Sequence, residues 1–221
     1  KCIFEHIYFM NKETRTNNKS IVDIRFQVGQ KIAVEDIELL FHEKSDLSNF
    51  LVTGCPQTGI PYGEGYANKS GIRYSQFLQK TQNCGRTFIL PENTSRLVSC
   101  KKNLFIRGDI SGRDLILLDD SLVRGNTITT VIQKLREHGA KSVHIRITSP
   151  PVKHPCFFGV DIPTCEELIA SSNTIEEIRQ KIDADTLSYT SLDIIKECIG
   201  SQSGFCSACF DGNYKEDLLD W

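Results

Sequence analysis

The chain has 221 residues, of which 39% are hydrophobic and 24% charged, and its formal net charge is -2. This length and composition are typical of one large globular domain, and no apolar run is long enough to cross a bilayer, so we expect no membrane span. The near-neutral charge, without a basic tract, argues against a nucleic-acid partner but permits a local pocket for one phosphorylated metabolite.

The nine cysteines are many for this length, but their odd number and even scatter argue against a disulfide framework. The segment from Lys1 to Met10 has neither the charge pattern nor the apolar stretch of a signal or transit peptide. We therefore expect a cytoplasmic protein whose thiolates are free to bind a metal. Because the first residue is Lys1, we also expect the chain to begin inside a longer protein.

The first predicted unit of strand, loop and helix lies before residue 71. Phe50, Leu51 and Val52 form a short apolar run that predicts a strand, and the loop formers of residues 53–59 lead to a predicted helix from Tyr62 to Ser70. Between Leu90 and Gly112 the sequence is polar and irregular, which predicts a mobile excursion beside the active site.

The second unit begins at the apolar run Asp114 to Leu118, which predicts a strand. A polar loop and a helix follow, with Thr127 predicted to cap the helix and Gly139 predicted to end it. The alternating segment from Ser142 to Ile147 predicts a third strand. Strand and helix thus alternate as in a parallel α/β sheet. The helix is indicated by apolar residues at helical spacing, namely Ile128, Val131, Ile132 and Leu135.

The sequence after Pro151 predicts short helices. Each is too short to bury a core alone, so we expect a helical cover on the sheet instead of an independent domain. The predicted starts are two capping boxes and a third helix: Thr164 with Glu167, Thr174 with Glu177, and Ser191 to about Gly200.

The loop from Asp119 to Thr127 follows a predicted central strand. In an open parallel sheet, ligands bind beyond the carboxyl ends of the strands. Gly125 lets the backbone approach an anion, hydroxyl and amide side chains offer donors, and the helix N-terminus adds partial positive charge, so the loop suits a phosphate. Asp119 and Asp120 would repel that phosphate and more plausibly face sugar hydroxyls or a hard cation such as Mg²⁺. Each piece alone is typical of an ordinary turn, but together they favour a binding loop.

The segment from Leu115 to Thr127 resembles the ribose-phosphate motif of type I phosphoribosyltransferases. The resemblance implies their α/β fold: a mainly parallel twisted sheet with flanking helices, a flexible hood loop and a C-terminal helical cover. It also implies that two acids bind the ribose hydroxyls and Mg²⁺ and that the following residues wrap the 5-phosphate. The substrate-binding residues expected from it are Asp119, Asp120, Ser121, Val123, Arg124, Gly125, Asn126 and Thr127.

Four further blocks resemble glutamine amidophosphoribosyltransferases, and together they cover nearly the whole chain. These blocks are Lys1 to Phe9, Gly85 to Ile89, Ser149 to Gly159 and Glu166 to Ala170. The resemblance implies an enzyme that displaces pyrophosphate from phosphoribosyl pyrophosphate with ammonia, which a glutaminase domain releases from glutamine. The product, 5-phosphoribosylamine, is the first committed intermediate of purine (IMP) biosynthesis.

The same resemblance divides the chain and implies its partners. Residues 1–200 are expected to form the phosphoribosyltransferase domain with its helical cover, and residues 201–221 a tail with the Cys-x-x-Cys motif. The N-terminal glutaminase domain is absent from this chain, so activity with glutamine is not expected from it alone. A homo-oligomer inhibited by purine nucleotides is also implied.

The loop from Cys55 to Gly59 matches the family's pyrophosphate loop, in which Thr58 is expected beside the Mg²⁺ ion. Lys80 and Arg86 match the family's flexible loop, where we expect them to contact phosphate or pyrophosphate during catalysis. The sequence departs from the family at three places in these mobile parts: Gln57, residues 81–84 and residues 11–14. These departures keep open a non-catalytic relative that senses phosphoribosyl pyrophosphate or nucleotides. A salvage transferase for a free base is a third, weaker alternative.

The motif Cys206-Ser207-Ala208-Cys209 alone is compatible with a redox pair, half a zinc site or half an iron-sulfur site. Cys2 and Cys156 match the other two positions at which one branch of the family binds a [4Fe-4S] cluster. The resemblance therefore implies a structural cluster on Cys2, Cys156, Cys206 and Cys209, with tetrahedral Zn²⁺ as the less favoured metal.

Overall fold

A computed structural model describes residues 1–39, 47–80, 104–162 and 164–214. No helix in these ranges is long and apolar enough to cross a membrane. The helices are α1 (Ile21–Leu39), α2 (Ile60–Ser70), α3 (Asn126–Glu137), α4 (Ile175–Lys181), α5 (Leu192–Ile199) and α6 (Ala208–Asp211), with a π-helical turn at Glu5–Phe9 and a 3-10 turn at Cys165–Glu167. The strands are β1 (Arg15–Thr16), β2 (Lys19–Ser20), β3 (Phe50–Gly54), β4 (Leu78–Lys80), β5 (Leu104–Ile106), β6 (Asp114–Asp119), β7 (Ser142–Ile147) and β8 (Thr186–Tyr189).

The central sheet has four parallel strands in the order β3-β6-β7-β8. All five residues of β3 and the first five of β6 are buried. Continuous apolar strands are typical of a parallel sheet that is covered on both faces, which is why these two runs were recognisable in the sequence. The three predicted strands are confirmed. The sequence did not predict β8, a strand in the region after Pro151 that pairs with β7 and extends the sheet.

The two faces of the sheet carry separate hydrophobic cores. Side chains alternate along β6, so Ile116 and Leu118 face α1 and α2, whereas Leu115 and Leu117 face α3. Helices α1 and α2 cross closely because glycines lie at their contact. A Cβ atom on Gly29 would come within 2.0 Å of the Tyr62 carbonyl oxygen.

The predicted helix ends are confirmed in part. Thr174 forms a complete capping box at the start of α4, and Ser191 caps α5. The prediction for Thr164 is wrong, since its side chain accepts no capping hydrogen bond at the 3-10 turn. The prediction for Thr127 is also wrong: α3 begins with Gly125 at the N-cap in a left-handed conformation, which places Thr127 inside the helix. Gly139 follows the last turn of α3 with φ +83°, as predicted.

The predicted excursion from Leu90 to Gly112 is only partly described. Residues 81–103 lie outside the described residues, but Leu104–Ile106 forms β5, which pairs antiparallel with β4. The prediction of irregular structure is therefore wrong for these three residues.

The two ends of the described chain meet. Cys2 and Cys206 form an isolated parallel bridge, in which the Ile3 amide donates to the Cys206 carbonyl at 3.1 Å and the Cys206 amide to the Lys1 carbonyl at 2.7 Å. The segment after residue 200 thus packs against the first residues, while the predicted boundary at residue 200 stays a prediction.

Candidate active site

A cavity of about 350 Å³ opens at the carboxyl ends of β3 and β6. The loop after β3 contributes Pro56, Gln57 and Thr58 to its wall, and the loop after β6 contributes residues 119–127. The peptide bond between Pro56 and Gln57 is cis. Neighbouring parallel strands end at the same edge, so two loops that are far apart in sequence converge here, as the sequence predicts.

Asp119 and Asp120 form an acid pair at the base of this cavity. Asp120 is 8% exposed, and its carboxylate accepts a hydrogen bond from the Ser121 hydroxyl at 2.6 Å. Burial raises the pKa of Asp119 well above its ordinary value, and the neighbouring Asp120 raises it further. Burial likewise raises the pKa of Asp120. Burial therefore makes two charged carboxylates costly at this position, and a bound cation would offset that cost.

Thr58 and Cys55 connect the loop after β3 to the acid pair. The Thr58 hydroxyl lies within hydrogen-bonding range of the Asp120 carboxylate, and the Cys55 thiol contacts that of Asp119. Burial, followed by the charges of the two acids, raises the pKa of Cys55. This thiol is thus a neutral donor beneath Asp119, a role that no motif in the sequence indicated.

The loop from Ser121 to Gly125 leads into α3 without a side-chain cap at its N-terminus. The first amide groups of a helix have no partner within the helix, so an uncapped first turn beside a cavity is suited to an anion. Gly125 has φ +83°, and a Cβ atom there would come within 2.9 Å of Cδ1 of Ile169. Both the backbone conformation and the packing therefore require glycine at this position.

A segment after β7 covers the outside of this loop. The Ile169 amide donates to the Val123 carbonyl at 2.9 Å, and Arg124 forms an ion pair with Glu167. Arg124 was predicted to bind substrate. Its guanidinium already has a carboxylate partner, so the structure shows it fastening the loop as well as lining the cavity.

All of the predicted substrate residues in the described ranges line one cavity. They are Thr58, Lys80, Asp119, Asp120, Ser121, Val123, Arg124, Gly125, Asn126 and Thr127. Lys80 is exposed at the end of β4. Arg86, the other predicted catalytic residue, lies outside the described residues.

Part of the cavity lining is aromatic, and no motif in the sequence indicated it. Phe4, Tyr8 and Phe9 form this aromatic wall, with ring centroids 4.7 to 6.2 Å apart. All three lie in the first block that resembles the family, Lys1 to Phe9, so that resemblance could have indicated a role for them in the site. Buried Arg25 contacts the same segment: its Nε donates to the His6 carbonyl at 3.1 Å.

The four cysteines predicted to bind a cluster come together near the chain ends. Burial raises the pKa of Cys209, and the charges of Cys2, Cys156 and Cys206 raise it further. The Phe158 amide donates to the Cys156 sulfur at 3.4 Å. Even so, no group of three or more His, Cys, Asp or Glu in the described ranges has the arrangement of a metal site. The thiols are neighbours but are not arranged around a metal.

The comparisons with known sequences and with solved structures agree with each other. No family model matches the chain. The amidophosphoribosyltransferase of Synechocystis is 40% identical over 221 residues, which cover 99% of this chain and 43% of that protein. The Bacillus subtilis amidophosphoribosyltransferase is 40% identical over 223 residues, which cover 98% and 45% respectively.

A solved structure gives the same answer. The glutamine phosphoribosylpyrophosphate amidotransferase from B. subtilis, complexed with ADP and GMP, superimposes with a TM-score of 0.79 at 39% identity. The match covers 96% of this chain and 46% of that one. The chain belongs to the amidophosphoribosyltransferase family. The predicted type I phosphoribosyltransferase fold is confirmed. The chain spans less than half the length of the amidophosphoribosyltransferases it matches and corresponds to their C-terminal part.

Proposed function

We propose that this chain carries the phosphoribosyl transfer of an amidophosphoribosyltransferase, in which ammonia displaces pyrophosphate from phosphoribosyl pyrophosphate. The observation that supports this most is the convergence of the acid pair, the uncapped start of α3 and the loop after β3 on one cavity. These parts suit ribose hydroxyls, a 5-phosphate and pyrophosphate respectively. The full reaction with glutamine would need a glutaminase domain, and the expected homo-oligomer, inhibition by purine nucleotides and cytoplasmic location belong to the same proposal.

Asp119 and Asp120 would orient the ribose through its two hydroxyls, while the amides from Ser121 to Thr127 hold the 5-phosphate. Ammonia is already nucleophilic, so the protein has little acid-base work to do, and positioning and charge stabilisation dominate. Lys80, with Arg86, would contact the pyrophosphate as it leaves.

The acid pair with Thr58 fits Mg²⁺, because oxygen ligands suit a hard cation and a cation would offset the cost of charging two buried carboxylates. When bound, Mg²⁺ would offset charge on the pyrophosphate leaving group.

The test incubates the purified, anaerobically prepared chain with phosphoribosyl pyrophosphate, Mg²⁺ and an ammonium salt and measures pyrophosphate. We expect ammonia-dependent release that Asp119→Asn and Asp120→Asn reduce by about a hundredfold or more, the usual scale for loss of a charge that positions the reacting groups. Asp161→Asn is the matched control, because Asp161 lines the same cavity but is exposed. Tight binding without release would instead identify a non-catalytic sensor.

For the four cysteines we propose a structural [4Fe-4S] cluster. Four thiols that neighbour one another, two of which, Cys2 and Cys209, have pKa values raised by burial, fit a site that is completed by binding iron or zinc. Iron analysis and visible absorption test this, with Cys209→Ser expected to lose the metal and the exposed Cys165→Ser expected to retain it. A colourless protein that holds only zinc would refute the cluster.

A further inference from the structure

Arg25, on α1, is a buried cation that forms no ion pair with a carboxylate of the described ranges, although its charge partly opposes the burial that raises the pKa of Asp120. Its side chain is 4% exposed, and the ion pairs of the described ranges do not include it. Arg146, which is also buried, pairs with Asp36 instead. An unpaired buried charge is costly, so Arg25 needs a different explanation.

The guanidinium of Arg25 binds backbone carbonyls of the π-helical turn. Nε donates to the His6 carbonyl at 3.1 Å, and Nη2 donates to those of Tyr8 at 3.1 Å and Met10 at 3.2 Å. The hydroxyl of Tyr62, on α2, donates to the intervening Ile7 carbonyl at 3.1 Å. The last carbonyls of a helical turn lack partners within the turn and carry partial negative charge. Arg25 and Tyr62 together satisfy them, and we call this pair the carbonyl clamp.

The turn held by the carbonyl clamp carries the aromatic wall of the cavity. Tyr8 and Phe9 lie within the clamped segment, and Phe9 is 42% exposed. The clamp also adjoins the acid pair. Tyr62 lies within hydrogen-bonding range of Thr148, whose amide donates to the Asp119 carbonyl at 2.9 Å. One buried network therefore connects the aromatic wall with the acid pair.

We propose that Arg25 is a positioning residue that holds the aromatic wall against the acid pair and thereby keeps water from the reacting carbon. The inference rests on the proposed function. In the amination, the nitrogen of ammonia bonds to carbon 1 of the ribose, the bond to pyrophosphate breaks, and solvent takes the surplus proton. Water attacking the same carbon would give ribose 5-phosphate and pyrophosphate. Both reactions release one pyrophosphate and differ only in the nucleophile. By excluding water, the aromatic wall favours ammonia.

The test compares ammonia-dependent with ammonia-independent pyrophosphate release at saturating phosphoribosyl pyrophosphate. Both rates come from the same sample, so their ratio does not depend on the fraction of folded protein. We expect Arg25→Met to lower the ratio about tenfold, which is about 1.4 kcal/mol in relative barrier height. Arg25→Lys should give an intermediate ratio, because an ammonium keeps the charge but lacks the planar fork of a guanidinium. Tyr62→Phe should lower it less than Arg25→Met does.

The matched control is Lys31→Met on the same helix, where Lys31 forms only an exposed pair with Glu197. An unchanged ratio in Arg25→Met would overturn the inference, even if total activity fell. Absence of ammonia-dependent release from the unaltered chain would instead refute the proposed function. Hydrogen exchange then tests the carbonyl clamp independently. Amides of residues 8–10 should exchange faster in Arg25→Met than in Lys31→Met, and equal rates would refute the clamp.

Discussion

Replacing Asp120 by Asn should stabilise the ligand-free protein while it abolishes binding of Mg²⁺ and phosphoribosyl pyrophosphate. Burial raises the pKa of Asp120 to about 6, compared with an ordinary value of 3.8. At about 1.4 kcal/mol per pH unit, charging the carboxylate destabilises the folded protein by on the order of a few kcal/mol, a cost shared with the neighbouring Asp119. Asn keeps an acceptor for the Ser121 hydroxyl but carries no charge. Because the amide also has to be desolvated, we expect Asp120→Asn to gain about 1 to 3 kcal/mol at pH 7.5.

The pH dependence of that gain identifies its cause. A carboxyl whose pKa is raised in the folded state does not lower the free energy of unfolding below pH 3.8, because it is protonated in both the folded and the unfolded protein. The cost appears as the pH rises above 3.8 and is fully present above about pH 6. Urea unfolding at pH 4 to 7.5, with EDTA present, should therefore show a difference between the two proteins that grows with pH. A less stable variant at pH 7.5, or a difference independent of pH, would refute the reasoning. Asp161→Asn should show neither effect.

Three further predictions concern backbone, core and helix cap. Gly125→Ala places a side chain at φ +83° and close to Ile169, so it should lower the unfolding free energy by about 1 to 3 kcal/mol and weaken substrate affinity, as urea unfolding and calorimetry would show. Asp36→Asn leaves buried Arg146 without its counter-charge and should cost about 3 to 5 kcal/mol; a cost near zero in urea unfolding would contradict this. Thr174→Ala removes the capping box of α4 and should cost about 1 kcal/mol with pyrophosphate release unchanged.

The unit β6–α3–β7 could be predicted from sequence because each part has a strong local signal. A strand buried on both faces is a continuous apolar run, and α3 has apolar residues on one side only. The same pattern placed Asp119, Asp120 and the loop that follows them at the carboxyl end of β6, where the structure has a cavity. The local sequence pattern did not predict elements whose structure depends on tertiary contacts. Strand β8 has four half-buried residues and no alternation, so only its pairing with β7 makes it recognisable.

The residues that support the site were missed for a related reason. Helix α1 contains Gly29, which weakens an isolated helix but permits the close crossing with α2. Without that helix in place, nothing in the sequence connects Arg25 to the carbonyls of residues 6, 8 and 10. The N-cap of α3 was misassigned because a glycine in the left-handed conformation replaces the usual hydroxyl.

The backbone bridge between Cys2 and Cys206 has a kinetic consequence. The Cys206 amide donates to the Lys1 carbonyl across 205 positions of sequence (206 − 1). Closing a loop of that length costs roughly 5 kcal/mol of chain entropy, which contacts formed earlier have to offset. We therefore expect the sheet to form before this bridge and the cysteines to gather last. Loading of the proposed metal would then follow folding of the core, and this late-formed bridge would help to set the unfolding rate of the protein.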